Sequence, residues 1–597
     1  MAKFLFLDFA PILGYFIPYS NFAPKSPLLY QKLFISKKLH DICASQNKYL
    51  YFFMRHYLDR LQESMVAKWN TAALSDYKGE TFTFANFATE IARLHTIFRI
   101  EEVAHGDKVA LAAKNSSRWA MAFLATTTYR AVAVPILCDF TPEAITNLTA
   151  HSDSVVLFTE PRIWDEMEVE KLPNLRVAIN LEDYSILYLR DTTHRSEIEA
   201  QLATIPAVYP EEVKHDVVNY GCGSLDDLAI INYTSGTTSQ PKGVMLTSGN
   251  ISANIDFALD NIAVEDGDKI ISMLPLAHMY GMAFEFIYPI CGGGHVYFLG
   301  KTPTPTLLMQ ALADVKPYLL ITVPLVIEKI FRGKIMPILG KPAMRVLTTL
   351  PGVDKLIYGK VRKQLLTTFG GNLRSIVLGG AALNPTIEKV MRKVKLPYTV
   401  GYGMTECAPL LSYSPWQSFK AGSCGRPVDG LAIRIDSEDP HKKVGEIQAK
   451  GPNVMVGYYK NEEATKAAFT EDGFLRTGDL GIMDKHNNIF IKGRSKCMIL
   501  TANGQNIYPE EVEAVLNTMP HVAESLIVER NKHLVALVAL TADDLALDEA
   551  TITEALEQSR IEANLLLPSY SQITKIEVVR EGFAHTPKHS IKRFLYK

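Results

Sequence analysis

The sequence predicts an α/β protein in which a large domain is followed by a small α+β domain at the carboxyl end. A chain of 597 residues is too long for a single hydrophobic core, so several subdomains are expected. Between residues 72 and 151, short apolar runs alternate with helical patterns, which is typical of βαβ units and a mostly parallel sheet. From residue 509 to 579 the order changes to helix, strand, strand, helix, strand, which indicates a compact domain of about a hundred residues.

The composition is that of an ordinary globular protein, with 47% hydrophobic and 21% charged residues. A net charge of -2 provides no basic field for nucleic acid, so we expect no nucleic-acid partner. The seven cysteines are scattered and form no CxxC pair. This pattern favours free thiols in a reducing, cytoplasmic compartment and argues against a metal cluster.

Residues 1–53 form an extension that precedes the regular pattern. Its first 18 residues are apolar but are interrupted by Asp8 and two prolines, so they are too short and too broken for a membrane span. They also lack the charged start and the cleavage site of a signal peptide. Three interpretations stay open: a peripheral membrane anchor, an extension that packs on a domain, or translated upstream sequence before a true start at Met54. We favour the last.

The N-terminal half predicts alternating elements without an evident catalytic constellation. Residues 72–84 predict a hairpin, because Asp76 to Gly79 supply a turn and the next residues alternate as a strand. The elements expected after it are a helix at about 85–98, a strand at 108–112, a helix at 119–128, a strand at 131–136 and a helix at 142–151.

A phosphate-binding loop is predicted at residues 233–243, directly after an apolar strand at 228–231. Glycines let backbone N–H groups approach phosphate oxygens, hydroxyls donate further hydrogen bonds, and a lysine adds positive charge. A Walker A loop is excluded, because Pro241 and Gly243 stand where that pattern needs Gly and Ser or Thr. The plain alternative is a flexible turn between two strands. The candidate phosphate-binding residues are Thr234, Ser235, Gly236, Thr237, Thr238 and Lys242.

A second motif, Gly401 to Glu406, carries side chains that suit a nucleotide and its metal. Tyr402 can stack on adenine and Thr405 can hydrogen-bond a phosphate. Glu406 offers a hard oxygen ligand for Mg2+, which usually binds through one or two carboxylates together with substrate phosphates. The alternative is a buried aromatic residue beside a capping Thr/Glu pair.

Together these motifs resemble those of the adenylate-forming superfamily, which comprises acyl-CoA synthetases, luciferases and peptide-synthetase adenylation domains. The chain looks most like a bacterial long-chain fatty acyl-CoA synthetase, and the resemblance covers about residues 60 to 597 with at least six motifs in family order. It implies stacked α/β sheets and a small β-barrel-like part in a large domain at 54–493. A mobile small domain at 494–597 would follow a hinge at Lys496.

The resemblance also assigns nucleotide contacts. A Gly/Ala loop after a strand would hold adenine, since small residues let a flat ring lie on the backbone; by itself this loop could be a tight strand–helix turn. Asp479 would accept hydrogen bonds from the ribose, although an Asp turn is the bland alternative. Thr234 would join Glu406 at the metal. The further residues assigned to the nucleotide are Gly380, Ala381, Ala382, Gly403 and Arg494.

The acyl group would lie beside His278 in the segment LPLAHMYG, where the plain alternative is a core histidine. Amino-acid-activating relatives use an Asp there, and no acidic residue stands beside His278, so an amino-acid substrate is disfavoured. The next helix, at 282–290, would form an apolar wall. The other residues that the resemblance assigns to the substrate are Thr322, Val323, Gly401 and Met404.

The small domain carries two implied active-site loops. Gly504 would let the backbone pass close to the pantetheine arm of CoA. The segment 586–593 resembles the family's TPxGKIxR motif, whose lysine contacts the substrate carboxylate and the α-phosphate. Here Ser590 occupies that position, and Lys588 and Lys592 lie two residues to either side. Neighbours two apart share a face of an extended loop, so both lysines are candidates, and we prefer Lys592.

The implied reaction has two steps. A fatty carboxylate attacks the α-phosphate of ATP with Mg2+, and CoA then takes the acyl group from the adenylate and releases AMP. One alternative is transfer to an acyl carrier protein instead of CoA. Another is a non-catalytic nucleotide- or lipid-binding homologue, which Ser590 motivates. A cytoplasmic location is expected, with peripheral contact at the inner face of the membrane as a route for a lipid substrate.

Overall fold

The computed structural model describes residues 54–234, 241–301, 304–500, 506–531, 533–541, 544–585 and 591–596. The extension at 1–53 lies outside the described residues. The same holds for part of the predicted site, namely Ser235, Gly236, Thr237, Thr238, Gly504, Lys588 and Ser590.

Strands of the large domain follow one another along the chain. They are β1 (Ala72–Asp76), β2 (Thr81–Thr83), β3 (Lys108–Ala112), β4 (Val132–Pro135), β5 (Ser154–Thr159), β6 (Val177–Asn180), β7 (Ile186–Leu189), β8 (Leu228–Thr234), β9 (Lys242–Thr247), β10 (Lys269–Ser272), β11 (His295–Phe298), β12 (Leu319–Thr322), β13 (Ser375–Leu378), β14 (Tyr398–Val400), β15 (Tyr402–Gly403), β16 (Leu410–Tyr413), β17 (Arg426–Pro427), β18 (Ala432–Asp436), β19 (Gly445–Lys450), β20 (Gly457–Tyr458), β21 (Leu475–Met483) and β22 (Ile489–Arg494).

Helices of the large domain cover the sheets. They are α1 (Tyr57–Ala67), α2 (Phe84–Ile100), α3 (Ser117–Thr128), α4 (Pro142–His151), α5 (Pro161–Trp164), α6 (His194–Thr204), α7 (Lys214–Val217), α8 (Ser248–Asn261), α9 (Met279–Gly281), α10 (Tyr288–Cys291), α11 (Pro305–Val315), α12 (Pro324–Ile330), α13 (Met336–Leu339), α14 (Pro342–Leu347), α15 (Val353–Thr368), α16 (Pro385–Val394) and α17 (Glu462–Ala468).

Two large sheets confirm the predicted α/β class. One has the strand order β20-β9-β8-β4-β3-β5-β6-β7 and the other the order β14-β13-β12-β10-β11-β1-β2. Their interior pairs, such as β3 with β4 and β12 with β13, are parallel, whereas β9 pairs antiparallel with both β8 and β20. The antiparallel β8–β9 hairpin therefore carries the predicted phosphate loop at the edge of an otherwise mostly parallel sheet.

The smaller part of the large domain is antiparallel. It contains a four-stranded sheet of order β18-β19-β21-β22 and a three-stranded sheet of order β15-β16-β17. The small domain then comprises β23 (Ile499–Leu500), β24 (Asn506–Ile507), α18 (Pro509–Leu516), β25 (Val522–Arg530), β26 (His533–Leu540), α19 (Glu549–Leu566) and β27 (Lys575–Val578). Its helices and sheet enclose a hydrophobic cluster of their own, as the predicted α+β order requires.

Hydroxyl side chains fix where two helices begin. The Thr83 hydroxyl accepts from the backbone N–H of Asn86, and the Asn86 side chain in turn accepts from the Thr83 backbone N–H, which starts α2 at Phe84. Thr247 forms the same reciprocal cap with Asn250, which starts α8 at Ser248. Within the described part of the chain, no helix is both long enough and apolar enough to cross a bilayer.

The helix predicted at 282–290 differs from expectation in two ways. The segment Met282–Ile287 has the wider π-helical hydrogen-bond pattern, and α10 continues it to Cys291. It is also not purely apolar, because Glu285 lies fully buried within it. A π-helical segment inside a helix often marks a functional position, which directs attention to this carboxyl group.

Candidate active site

One continuous cleft, about 2490 Å³ in volume, brings together nearly all the predicted site residues that the structure describes. These residues come from both large sheets, the antiparallel part and the small domain. The predicted residues that line the cleft are Thr234, Lys242, His278, Val323, Gly380, Ala381, Ala382, Gly401, Tyr402, Gly403, Met404, Thr405, Glu406, Asp479, Arg494, Lys496 and Lys592.

Lys242 enters the cleft from the start of β9. It pairs with Thr234 in the β8–β9 register, and the Thr234 hydroxyl donates to the Lys242 carbonyl oxygen over 3.5 Å. The Lys242 ammonium lies 4.9 Å from the centre of the Tyr458 ring, a distance typical of a cation–π contact. The Tyr458 ring therefore stabilises the positive charge of Lys242 at the end of the loop.

Hydrogen bonds of Tyr233 and Tyr459 attach the β8–β9 hairpin to the end of helix α4. The hydroxyl of Tyr233 lies 2.7 Å from Nδ1 of His151. Burial and the charge of Lys460 lower the pKa of His151, so its ring is neutral near pH 7 and can accept from Tyr233. The hydroxyl of Tyr459 donates to Asp153 over 2.9 Å, and Lys460 pairs with the same carboxylate at 2.7 Å. These contacts connect α4 to the strand ends that carry the loop.

Glu406 lies in the short helical turn Thr405–Cys407 and lines the cleft. The hydroxyl of Tyr458 donates to Oε1 of Glu406 over 3.0 Å. Burial, followed by the nearby Glu406 charge, raises the pKa of Tyr458, so its hydroxyl remains a donor. Tyr458 thus contacts both Lys242 and Glu406, although nothing in the local sequence marked it as a site residue.

The donor set around Glu406 suits Mg2+. Its carboxylate is the hard oxygen ligand that this ion prefers, and substrate phosphates usually complete the coordination. Among the residues the structure describes, no group of three or more His, Cys, Asp or Glu converges on one point. A metal held partly by the substrate, and not by a protein cage, therefore fits these residues.

Asp479 is held by two neighbours. Its Oδ2 accepts from the Tyr402 hydroxyl over 2.7 Å, and its Oδ1 lies 3.3 Å from Nε of Arg494. Asp479 and Arg494 are register partners on β21 and β22, which explains why residues fifteen apart face each other. Burial raises the pKa of Asp479, and the Arg494 charge opposes that rise. The structure therefore gives Tyr402 a positioning role toward Asp479 that the sequence did not predict.

Two positions of the cleft require glycine. Neighbouring backbone leaves no space for a side chain at Gly403, and Gly380 has a positive φ. A Cβ at Gly403 would lie 2.2 Å from the carbonyl oxygen of Pro409, so the β15–β16 turn excludes any side chain there. Gly380 has φ +82°, which L residues rarely adopt, and this bend lets the loop after β13 open onto the cleft. The neighbouring wall is fixed by Tyr280, whose hydroxyl donates to the Val377 carbonyl over 3.2 Å.

Comparison with known proteins supports one family over nearly the whole described chain. The AMP-binding enzyme family matches residues 61–459, and the AMP-binding enzyme C-terminal domain matches residues 497–596. The chain belongs to the AMP-binding enzyme family. Membership confirms the resemblance to adenylate-forming enzymes and makes ATP the nucleotide, with Mg2+ as the usual metal ion and CoA as the usual co-substrate of such ligases.

Individual relatives agree on the family but are named for different acid substrates. The chain is 28% identical to the long-chain-fatty-acid–CoA ligase FadD15 of Mycobacterium bovis, across 82% of this chain and 86% of that protein. It is 33% identical to the 2-succinylbenzoate–CoA ligase of Bacillus velezensis, across 60% and 67%. Among solved structures, ATP-bound MatB from Rhodopseudomonas palustris has a TM-score of 0.70 at 22% identity, covering 90% of this chain and 98% of that one. The last likeness concerns the fold.

The small domain of this AMP-binding enzyme contacts the large domain through α18. Arg332 donates to the Asn517 carbonyl over 2.5 Å, and the side-chain amide of Asn384 donates to the Ala514 carbonyl over 3.3 Å. Both acceptors lie at the carboxyl end of α18, where unpaired carbonyls carry partial negative charge. In this arrangement Lys592 lines the cleft, and its backbone N–H donates to Ala584 over 2.8 Å.

Lys496 lies in the helical turn Ser495–Cys497, between β22 and the matched C-terminal domain. Its side chain is exposed. The hinge expected at this position stays a prediction.

The LPLAHMYG segment, which the resemblance assigns to the acyl group, forms part of the cleft wall. His278, Val323, Gly401 and Met404 line the cleft, whereas Thr322 is fully buried and is not among the lining residues. Thr322 therefore supports the wall from behind in this structure, in place of the substrate contact that its motif suggested.

Glu285 anchors the start of this segment and was missed by sequence reasoning. Its Oε2 accepts from the backbone N–H groups of Met273 and Leu274 over 3.0 and 2.9 Å, and from the Ser272 hydroxyl over 3.2 Å. Burial raises the pKa of Glu285 well above its usual value, and these three donors oppose the rise. A single acidic residue inside an apolar run was the signal that could have identified it.

Proposed function

We propose that this AMP-forming acid–CoA ligase activates a long-chain fatty acid. The observation that carries the proposal is the apolar wall of the cleft beyond His278. It continues toward the surface at α12, where Leu325 is exposed and also lines the cleft. Its lining side chains include Phe284, Tyr288, Leu299, Leu308, Leu319, Ile321, Val326 and Ile330. Such a wall suits a hydrocarbon chain, which gains affinity in proportion to the apolar area that it buries.

In the first step a carboxylate oxygen of the acid attacks the α-phosphorus of ATP. A carboxyl–phosphate bond forms, the bond to the β-phosphate oxygen breaks, and pyrophosphate leaves. The step depends mainly on positioning and on stabilisation of charge. Lys592 and Thr405 would contact the reacting phosphate, while Lys242 and the loop that it closes would bind the leaving pyrophosphate. Glu406, together with Thr234, would hold Mg2+, which neutralises phosphate charge.

In the second step the CoA sulfur attacks the acyl carbon of the mixed anhydride, and AMP leaves. We propose that the small domain first rotates about Lys496, so that the loop with Gly504 replaces the Lys592 segment at the cleft. The contacts of α18 with Arg332 and Asn384 would then belong to the adenylation arrangement only. This is a hinge motion that assembles the two sites in turn.

The test is product formation from a ladder of saturated fatty acids with ATP and Mg2+, in the presence and absence of CoA. Mass spectrometry would quantify AMP, acyl-adenylate and acyl-CoA. We expect a CoA-dependent thioester whose yield is highest with long chains. A maximum at short chains would contradict the long-chain assignment.

The same assay separates the alternatives. 2-Succinylbenzoate belongs in the panel because a relative with 33% identity is named for it. Acyl-adenylate that accumulates despite CoA would indicate a carrier-protein acceptor. Binding of ATP and fatty acid without any turnover would indicate a non-catalytic homologue, which Ser590 motivates.

A further inference from the structure

The Tyr458 side chain contacts two groups of the cleft that carry opposite charge. Its ring centre lies 4.9 Å from the Lys242 ammonium, and its hydroxyl donates to Oε1 of Glu406 over 3.0 Å. The first contact uses the negative face of the aromatic ring, and the second uses the O–H donor at its tip. One rigid side chain therefore meets both the cation at the end of the phosphate loop and the carboxylate that suits Mg2+.

The two charged groups do not neutralise each other. Within the described part of the chain, Lys242 and Glu406 form no ion pair with each other or with any other residue. Opposite charges in a partly buried cleft attract, and a direct contact would occupy both the lysine donors and a carboxylate oxygen. Tyr458 gives each of them a different neighbour, so both keep their capacity for a polyphosphate and its metal ion.

Main-chain hydrogen bonds fix where the Tyr458 ring stands. Strand β20, which ends at Tyr458, pairs antiparallel with β9, which begins at Lys242. The Tyr458 N–H donates to the Thr465 hydroxyl of α17 over 2.9 Å. Three residues earlier, the Met455 N–H donates to the Glu406 carbonyl over 2.8 Å. The segment that carries the ring is thus attached both to the turn with Glu406 and to the strand with Lys242.

The hydrogen bond from Tyr458 orients one oxygen of Glu406 and leaves the other open. Oε1 accepts from the tyrosine, whereas Oε2 has no hydrogen-bond donor among the residues that the structure describes. Mg2+ requires near-octahedral geometry with ligand oxygens at about 2.0–2.1 Å, so a carboxylate held in one orientation is the better ligand. Loss of a hydrogen bond that orients a metal ligand typically lowers metal affinity roughly 10- to 100-fold.

We propose that Tyr458 is a positioning residue, which orients Glu406 for Mg2+ and keeps Lys242 apart from that carboxylate. The metal ion and the lysine can then bind the same polyphosphate. This role rests on the proposed functions of Glu406 and Lys242, and it does not depend on which acid the enzyme activates. Tyr458 itself makes and breaks no bond, because it acts through its two neighbours.

Two substitutions separate the two contacts of Tyr458. Tyr458→Phe keeps the ring beside Lys242 and removes the hydroxyl that orients Glu406. Tyr458→Leu removes both contacts. The matched control is Tyr77→Phe, which also removes a tyrosine hydroxyl that donates to a carboxylate, that of Asp314 over 2.5 Å. Tyr77 and Asp314 lie outside the described lining of the cleft.

The first measurement is metal affinity without turnover. The full chain, in excess, is mixed with α,β-methylene-ATP, which cannot release pyrophosphate, and Mn2+ that stands in for Mg2+ is followed by electron paramagnetic resonance. Tyr458→Phe should weaken Mn2+ binding roughly 10- to 100-fold, while Tyr77→Phe should bind it like the wild type. Unchanged Mn2+ binding by Tyr458→Phe, or an equal loss in Tyr77→Phe, would overturn the proposal.

The second measurement isolates the contact with Lys242. Binding of the same analogue is titrated by calorimetry in EDTA, so that no metal ion contributes. Tyr458→Phe should bind the metal-free analogue within about twofold of the wild type, because its ring remains. Tyr458→Leu should bind it roughly fivefold more weakly, as expected for the loss of one cation–π contact. Equal affinity of the Phe and Leu variants would remove the role assigned to the ring.

The Mg2+ dependence of the rate distinguishes orientation from a general loss of structure. Tyr458→Phe should need at least about ten times more Mg2+ for half-maximal acyl-adenylate formation, and its rate at saturating Mg2+ should return to the wild-type level. A rate lowered equally at every Mg2+ concentration would indicate a folding defect and would contradict the positioning role.

Glu406→Gln separates this role from the proposed function. If Glu406→Gln binds Mn2+ as tightly as the wild type, the proposed metal ligand is wrong, and the role of Tyr458 falls with it. If Glu406→Gln loses Mn2+ and Tyr458→Phe does not, the metal ligand stands and only the role of Tyr458 is refuted.

Discussion

Replacing Glu285 tests how its buried carboxyl group holds the backbone at Met273 and Leu274. In Glu285→Leu, the N–H groups of buried Met273 and of partly buried Leu274 lose their acceptor. An unsatisfied buried donor costs roughly 1–3 kcal/mol and a partly buried one less, so the pair should cost about 3 kcal/mol. Glu285→Gln keeps an oxygen at the same place, and we expect it to lie within about 1 kcal/mol of the wild type.

Hydrogen exchange measured by mass spectrometry is the assay of choice, since a protein with several domains does not unfold in one step. Peptides that cover residues 272–276 should lose protection in Glu285→Leu and keep it in Glu285→Gln. Equal loss in both variants would refute this account, because it would mean that the charge and not the acceptor oxygen is needed.

The pH dependence gives a second test of the same residue. Burial raises the pKa of Glu285, so the folded state retains a proton that the unfolded state loses above about pH 4.5. The stabilisation from this proton is present at low pH and is lost as pH rises toward the folded pKa. The slope is at most about 1.4 kcal/mol per pH unit. Glu285→Gln cannot titrate, so its stability relative to the wild type should increase with pH. A constant difference would contradict the raised pKa.

Three further predictions concern the reaction. Asp479→Asn weakens acceptance of hydrogen bonds from the ribose, and a charged hydrogen bond is worth roughly 1.5–3 kcal/mol, so KM for ATP should rise about 10- to 100-fold, as steady-state kinetics would show. Lys592→Ala should lower the rate of acyl-adenylate formation at least a hundredfold in a pyrophosphate-release assay. Lys588→Ala should change the same rate less than threefold. The opposite order would make Lys588 the active lysine. Lys496→Pro should leave one half-reaction nearly intact and impair the other in single-turnover measurements, and equal loss of both would argue against a hinge at this position.

Most elements of the fold could be predicted because apolar periodicity and capping residues lie within the elements themselves. The strand at 108–112 and the helix at 142–151 have the predicted bounds, since apolar runs and a capping threonine mark their ends. The second helix predicted between residues 509 and 579 runs from Glu549 to Leu566, because no proline or glycine stops it before Pro568. Ends without such a signal depend on packing, which a single sequence does not show.

Candidate site residues could be named from the sequence where they lie in short motifs, and not where they meet through the fold. Glu406 and Lys242 could be named from their own segments. Tyr458 could not, because it reaches them only through the pairing of β20 with β9, in which Tyr458 is opposite Val244. That pairing joins strands more than two hundred residues apart, and no local periodicity encodes it.

The contact of Tyr402 with Asp479 also depends on the fold and not on a local motif. From the sequence, an aromatic residue beside Thr405 and Glu406 indicated a surface for adenine. In the structure its ring is buried and its hydroxyl donates to Asp479, which belongs to a different sheet. Because Arg494 contacts the other oxygen of that carboxylate, Asp479 is held on both sides before any nucleotide arrives. An acceptor oriented in this way loses little freedom when a ribose binds, which is the physical advantage of a preorganised site.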